Sequence, residues 1–206
     1  MKVSKEQAAQ NRAKLVETAA RLMRERGIDG VGVAEIGKAA GLTHGALYAH
    51  FPSKDALAAE ALAFGLERGH KRMTAPRGGR APSLDQLLDA YLSEQQRNNF
   101  AEGCPMAASV SESGRLDETV SARFADGFEQ MVGLIRSRLS EDLSDADRRE
   151  RALTMAVALI GGISTSRAVM KARPEVADEI LRAVRHMIGA IGAIGGEPAA
   201  ADGKKT

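Results

Sequence analysis

VAEIGKAAGLTHGALYAHFPSKDAL, residues 33–57, is the stretch that decides the fold. Its first part, Val33 to Ala40, places Val33, Ile36 and Ala40 on one helical face and stops at Gly41, a residue suited to the left-handed backbone of a tight turn. A second short helix is predicted over Thr43 to His50, with Leu42 plugging between the two and Ala46 and Leu47 turned inward. Thr43, His44, Gly45 and Tyr48 are left for solvent or a partner, and Gly45 and Ala46 are small enough for close approach of another backbone. Two short helices joined this way make a helix-turn-helix, whose first helix braces the second for entry into the major groove of DNA. The segment from Thr43 to Phe51 carries no Lys or Arg. The pattern therefore rests on the spacing of Gly41, Gly45, Tyr48, His50 and Lys54 rather than on charge.

Outward from this stretch the helical period continues. Upstream, a helix beginning near Lys5 puts Leu15, Ala19, Leu22 and Met23 on one face and ends at Gly27, before the turn signal Asp29-Gly30. Downstream, Ser53 is placed as the N-cap of an Ala- and Leu-rich helix running to about Arg72. The segment Thr74 to Pro82, with Pro76, Gly78, Gly79 and Pro82, reads as the main linker. Beyond it, Ser83 caps a helix through about Asn99, Gly103 and Pro105 mark a break, and Cys104 starts a further helix. Leu116 to Ser140, Ser144 or Asp145 to about Lys171, and Pro174 to about Ile194 follow. The predicted architecture is all-α, with about nine helices, no strand and a disordered tail over residues 195–206.

Composition narrows the class. Hydrophobic residues make up 44% and charged residues 27% of the 206, with no Trp, five Phe and two Tyr, which disfavours a large sandwich or barrel core. The single Cys104 excludes an internal disulfide, and His44, His50, His70 and His186 do not cluster, so no metal site is expected. The N-terminus lacks the apolar run of a signal peptide, and Arg or Lys interrupts each apolar stretch, so a cytoplasmic protein without membrane contact is expected. Residues 1–80 carry 14 basic and 8 acidic groups, net +6, while residues 81–206 carry 15 and 19, net −4. A basic N-terminal third on an acidic body points that end at a polyanion. No phosphate loop or activated nucleophile is visible, and an enzyme using Cys104 with His70 or His186 as base has little to support it; no catalytic residue and no cofactor are expected. A helical adaptor that does not bind DNA is the other alternative.

The run from Val33 to Leu57, with the preceding Arg12, Leu15, Ala19, Leu22 and Gly27, closely resembles the DNA-binding signature of the TetR family of transcriptional regulators. The resemblance covers residues 9–69, with the helix-turn-helix at 32–51, and implies an effector-binding and dimerisation domain over 81–194. It implies that Thr43, His44, Gly45 and Ala46 face base edges and phosphates, that Tyr48 and His50 hold phosphate oxygens, and that Lys54 pairs with a phosphate. Phe51 is implied to be core. Two positions depart from the family pattern: Gly32 stands where a Thr or Ser cap is usual, and Gly37 where Ala is usual. The mid-helix glycine is expected to cost about 0.5–1 kcal/mol.

A reader of this size needs paired half-sites, hence a twofold homodimer on a palindromic operator. The last two predicted helices carry apolar stripes, from which Leu153, Val157, Ile160, Gly161, Ser164, Ala168, Leu181, Val184 and Ile188 are assigned to a dimer interface; the same stripes also read as monomer core. Tyr91, Phe100, Cys104, Met106, Phe124, Phe128 and Met131 are adaptable groups suited to an apolar ligand cavity. In the family this region holds an inducer pocket, which implies a repressor released from DNA by an unidentified small-molecule effector. Cys104 is open to two roles, buried packing or a redox or electrophile sensor.

Overall fold

The computed structural model describes residues 4–193, and among them the secondary structure is helical, apart from one isolated bridge between Arg77 and Arg80. The helices are α1 (Lys5–Arg26), α2 (Val33–Ala39), α3 (His44–Tyr48), α4 (Lys54–Thr74), α5 (Leu84–Tyr91), α6 (Glu94–Asn98), α7 (Pro105–Ser113), α8 (Glu118–Arg136), α9 (Asp145–Val169) and α10 (Pro174–Ala193). The tail at 195–206 lies outside the described residues.

Among the described residues ten helices stand where about nine were expected, because the segment after Ser83 is two helices rather than one. Leu92 leaves helical geometry at φ −90°, ψ 40°. Ser93 then donates to the Ala90 carbonyl at 3.0 Å and accepts from Gln96 N at 3.1 Å, so one hydroxyl closes α5 and caps α6. Ser4, Ser53, Ser83, Asp117 and Ser144 cap α1, α4, α5, α8 and α9 through the same side-chain chemistry, and Ser83 with Gln86 forms a reciprocal capping box. Helix α8 ends at Arg136, a turn earlier than its periodicity suggested.

The N-terminal helices pack around Leu15, Ala19, Val31, Ile36, Leu47, Phe51 and Leu57, all almost completely buried. Gly27 at φ +83° and Gly41 at φ +71° make the two sharp turns this packing needs, each free of the Cβ that would strain other residues there. Gly32 caps α2 without any side-chain bond, as its lack of a hydroxyl requires. Helix α4 leaves this head and packs on α1, α7 and α8, so one rod belongs to both halves of the chain. Between α4 and α5, Arg77 and Arg80 exchange backbone hydrogen bonds of 2.9 and 3.3 Å around Gly78 and Gly79, turning the expected loose linker into an ordered hairpin-like turn.

Helices α9 and α10 pack along each other, with α8 and α5 against them. Contrary to the expectation that charge interrupts every apolar stretch, α9 is long and apolar enough, by length and composition, to cross a membrane. No Lys, Arg, Asp or Glu occurs from Ala152 to Ser166. Its Ala152, Met155, Ala156, Leu159 and Ile163 are spent on the bundle core.

Candidate nucleic-acid interface and cavity

Helix α3 is presented on the surface by its own buried residue. Leu47 and the following Phe51 are sunk in the head, and the Arg12 guanidinium lies over the Phe51 ring at 4.9 Å while also pairing with Glu60. With that face fixed, Thr43 and Gly45 are exposed, Tyr48 is half exposed, and Ala46 and His50 are partly covered. A Cβ at Gly45 would meet nothing within 4 Å, so this part of α3 is open for close approach by another molecule. His44 opens α3, and its side chain lies outside the described residues. Lys54 is placed differently from its implied role: Nζ lies 3.5 Å from the Asp29 carbonyl oxygen and 3.8 Å from its carboxylate, ties that a phosphate would have to replace or share.

Behind the head is a cavity of about 580 Å³. Helix α4 gives it Leu66, Arg68, His70, Arg72 and Met73; α5 gives Tyr91; the segment between α6 and α7 gives Asn99, Glu102 and Cys104; α7 gives Met106; and α8 gives Gly127, Gln130, Met131 and Leu134. Of the seven residues expected in a cavity, Tyr91, Cys104, Met106 and Met131 line it, whereas Phe100, Phe124 and Phe128 do not. The stripe of α8 that meets the cavity is Gly127, Gln130, Met131 and Leu134, the i, i+3, i+4, i+7 set, which leaves Phe124 and Phe128 half-buried on a neighbouring stripe against the core. Phe100 is taken by Arg167, whose guanidinium stacks 4.7 Å from the ring centre. Cys104 is buried at the N-cap of α7.

Tyr91 is also buried, and its hydroxyl meets no oxygen or nitrogen partner, with only the weak Cys104 thiol beside it. Burial, with the adjacent Cys104 thiol adding to it, pushes the phenol well above its usual pKa, so the group remains a neutral O–H.

The walls of the cavity are also the ties to the head. Arg24 of α1 is buried and donates through Nε to the Ala101 carbonyl at 2.7 Å. The next residue, Glu102, accepts three guanidinium groups, with Arg24 at 3.7 Å, Arg68 at 3.3 Å and Arg72 at 3.4 Å; Arg72 also reaches the Glu102 carbonyl at 2.6 Å. Burial lowers the Arg24 pKa and Glu102 opposes that shift. At the far end of α7, the Glu112 carboxylate accepts from the backbone N–H of Ile28 at 3.1 Å and of Asp29 at 3.3 Å, pinning the turn between α1 and α2. None of these long-range pairs is visible as a sequence pattern, because partners 77 and 84 residues apart share no period.

The residues assigned to a dimer interface divide between two environments. Ile160, Leu181 and Ile188 are in the chain's own core, and Ser164 donates to the Ala107 and Ile160 carbonyls at 2.8 Å. Val157, Gly161 and Ala168 lie exposed along α9, Leu153 and Val184 are half-buried, and Met187 of α10 is exposed. Val157 and Met187 are each 61% exposed, the most exposed large apolar residues among the described ones.

Known proteins resemble this chain in both sequence and fold. Residues 15–61 match the family model for bacterial regulatory proteins of the tetR family, and residues 81–177 match a C-terminal domain model for LmrA/YxaF-like transcriptional regulators. An uncharacterized HTH-type transcriptional regulator of Mycobacterium tuberculosis strain H37Rv is 29% identical over 157 residues, covering 73% of this chain and 80% of that protein. The HTH-type transcriptional regulator AcrR of Shigella flexneri is 39% identical over 57 residues, covering 28% and 26% of the two chains. Among solved structures, the reduced form of NemR from E. coli superposes with a TM-score of 0.70 at 21% identity, over 92% of this chain and 99% of that one. A TetR transcriptional regulator from Chloroflexus aurantiacus gives 0.67 at 22% identity, over 90% and 95%.

Proposed function

We propose that this chain is a DNA-binding transcriptional regulator of the TetR family, the reading its similarities support, and a repressor released from a palindromic operator by a small molecule held in the 580 Å³ cavity. The observation that carries this reading is that cavity wall and head restraint are the same residues: Arg68, Arg72 and Glu102 line the cavity and tie α4 and Arg24 together. A ligand that favours a different arrangement of these groups shifts the population toward a head spacing that no longer fits two half-sites. Thr43, His44, Gly45 and Ala46 read or approach the major groove, with Tyr48, His50 and Lys54 on phosphates. The homodimer is formed through the exposed α9 and α10 face of Val157, Gly161, Ala168 and Met187, with Leu153 and Val184 at its edge, and the protein works in the cytoplasm.

Selection of bound duplexes from random oligonucleotides, followed by fluorescence polarisation across a salt series, tests the reading. The expected result is a short palindrome whose affinity falls steeply with salt. Tyr48→Ala is expected to lose that affinity by about tenfold or more while remaining a dimer in sedimentation, the scale of one lost phosphate or base contact. Recovery of no palindrome, or full affinity in Tyr48→Ala, would overturn it.

A further inference from the structure

We propose that the cavity takes an apolar organic anion, a hydrophobic body bearing one carboxylate, with Arg77 and Tyr91 as its recognition groups. The inference rests on the effector reading above and names the chemistry of its ligand.

The charges that line the cavity are unbalanced. Arg68, Arg72 and Arg77 face it against a single acid, Glu102. That acid is already shared among Arg24, Arg68 and Arg72, which leaves no free carboxylate on the wall to receive a cation. Arg77 donates to the Gln86 carbonyl at 3.3 Å and has no acidic partner among the described residues, so its charge is available. A cationic ligand would otherwise need an aromatic cage, and Tyr91 is the one Phe, Tyr or Trp among the lining residues.

Two further donors are unspent. The Tyr91 hydroxyl, on a residue 4% exposed, meets no oxygen or nitrogen partner and has only the weak Cys104 thiol beside it, so an oxygen acceptor on a ligand would improve its bonding. Helix α7 begins in the same wall with Cys104 and Pro105, and its first turn carries neither a capping side chain nor an acidic residue. Its uncapped amides add partial positive charge to that end of the cavity. In the same lining, Leu66, Met73, Met106, Met131 and Leu134 offer an apolar and adaptable surface for the body of the ligand. Net positive charge, one free guanidinium, a weakly bonded phenol and a sulphur-rich lining together select an acceptor-headed, negatively charged amphiphile over a neutral or cationic one.

The chain has no Trp, so naphthalene fluorescence reports binding without interference. The full-length protein is titrated with 2-naphthoate, 2-naphthalenemethanol and 2-naphthylmethylammonium at low salt, and with decanoate, decanol and decylammonium by competition, so that two body shapes are covered. The carboxylate of each set is expected to bind about tenfold or more tighter than its ammonium counterpart, the factor one charge-assisted contact supplies. Arg77→Gln is expected to remove most of that ratio while leaving the alcohol's affinity unchanged, and Tyr91→Phe to weaken the carboxylate further. Equal or tighter binding of the ammonium compounds, an unchanged ratio in Arg77→Gln, or no binding by any of the six below about 1 mM would overturn the proposal. Polarisation of the selected duplex separates the two readings. Release of DNA by an ammonium compound alone would sink the anion and keep the effector role. Anion-selective binding that releases no DNA would sink the effector role and keep the anion site.

Discussion

Replacing Glu112 by Ala isolates the tie between α7 and the head. The carboxylate accepts two backbone N–H groups, Ile28 at 3.1 Å and Asp29 at 3.3 Å, and the site is half-buried. Hydrogen bonds to a charged group contribute about 1.5–3 kcal/mol each, but these two are long, and water can reach the amides once the side chain is gone, so about 1 kcal/mol apiece is the fitting scale. The loss is then about 2 kcal/mol, and at about 2–4 °C per kcal/mol for a chain of this size the Tm falls by about 4–8 °C. Glu112→Gln keeps one acceptor oxygen and is expected to lose about half as much. Differential scanning fluorimetry of the three proteins gives the Tm series, and hydrogen exchange places the change, with the Ile28 and Asp29 amides exchanging faster in the Ala variant. A Tm within about 1 °C of the parent, or a loss as large in Gln as in Ala, would refute the account of Glu112 as a double acceptor holding the turn.

Three other perturbations test different parts of the structure. Gly27→Ala meets both a left-handed φ of +83° and the Glu112 carboxylate, whose Oε1 would lie 2.8 Å from the new Cβ, and a stability loss of about 1–3 kcal/mol in urea denaturation is expected. Gly127→Ala places a Cβ 2.5 Å from Leu66 Cδ1 and 3.0 Å from Cγ, so Leu66 must leave its rotamer or α4 and α8 must separate; the same scale of loss is expected, with altered affinity for whatever ligand the cavity holds. Asp117 caps α8, and its bonds from Thr119 N and Oγ1 hold its pKa below the ordinary carboxylate value. Its contribution is present above the unfolded pKa and is lost as pH falls through the lowered folded value, so Asp117→Asn is expected to flatten the acid limb of a Tm-against-pH curve below about pH 4.

The helix-turn-helix was legible because its information is local. Gly41 and Leu42 set the turn, Ile36 and Leu47 set the faces, and the structure returns both with a positive φ at the glycine and full burial at the apolar positions. The division of α5 from α6 was hidden because Ser93 lies in an otherwise helical polar run, and only its bonds to Ala90 and Gln96 reveal a cap. Composition could nominate cavity residues, yet it could not assign the facing of α8, so Phe124 and Phe128 were placed one stripe out of position. The arginines around Glu102 were unreadable for a different reason. Ion pairs between distant segments are fixed by tertiary geometry, and any surface arginine has the same sequence appearance as Arg68 or Arg72. The residues nominated for an interface on α9 and α10 carry a symmetric ambiguity, since one apolar period serves both core and dimer; the burial of Ile160 assigns it to the chain's own core, while Val157 stays exposed.

The Arg24 contact with the Ala101 carbonyl bears on how such a chain can be re-engineered. The ordered turn at 74–82 looks like the natural place to cut when one reader is to be spliced onto another sensor. A junction there would keep the covalent order and sever the stitch, leaving a buried guanidinium facing whatever the new body offers at that spot. Compatibility of a chimera is therefore decided by whether the recipient supplies a carbonyl and an acid where Ala101 and Glu102 stand here. The head is a cartridge only when its docking loop is transplanted with it.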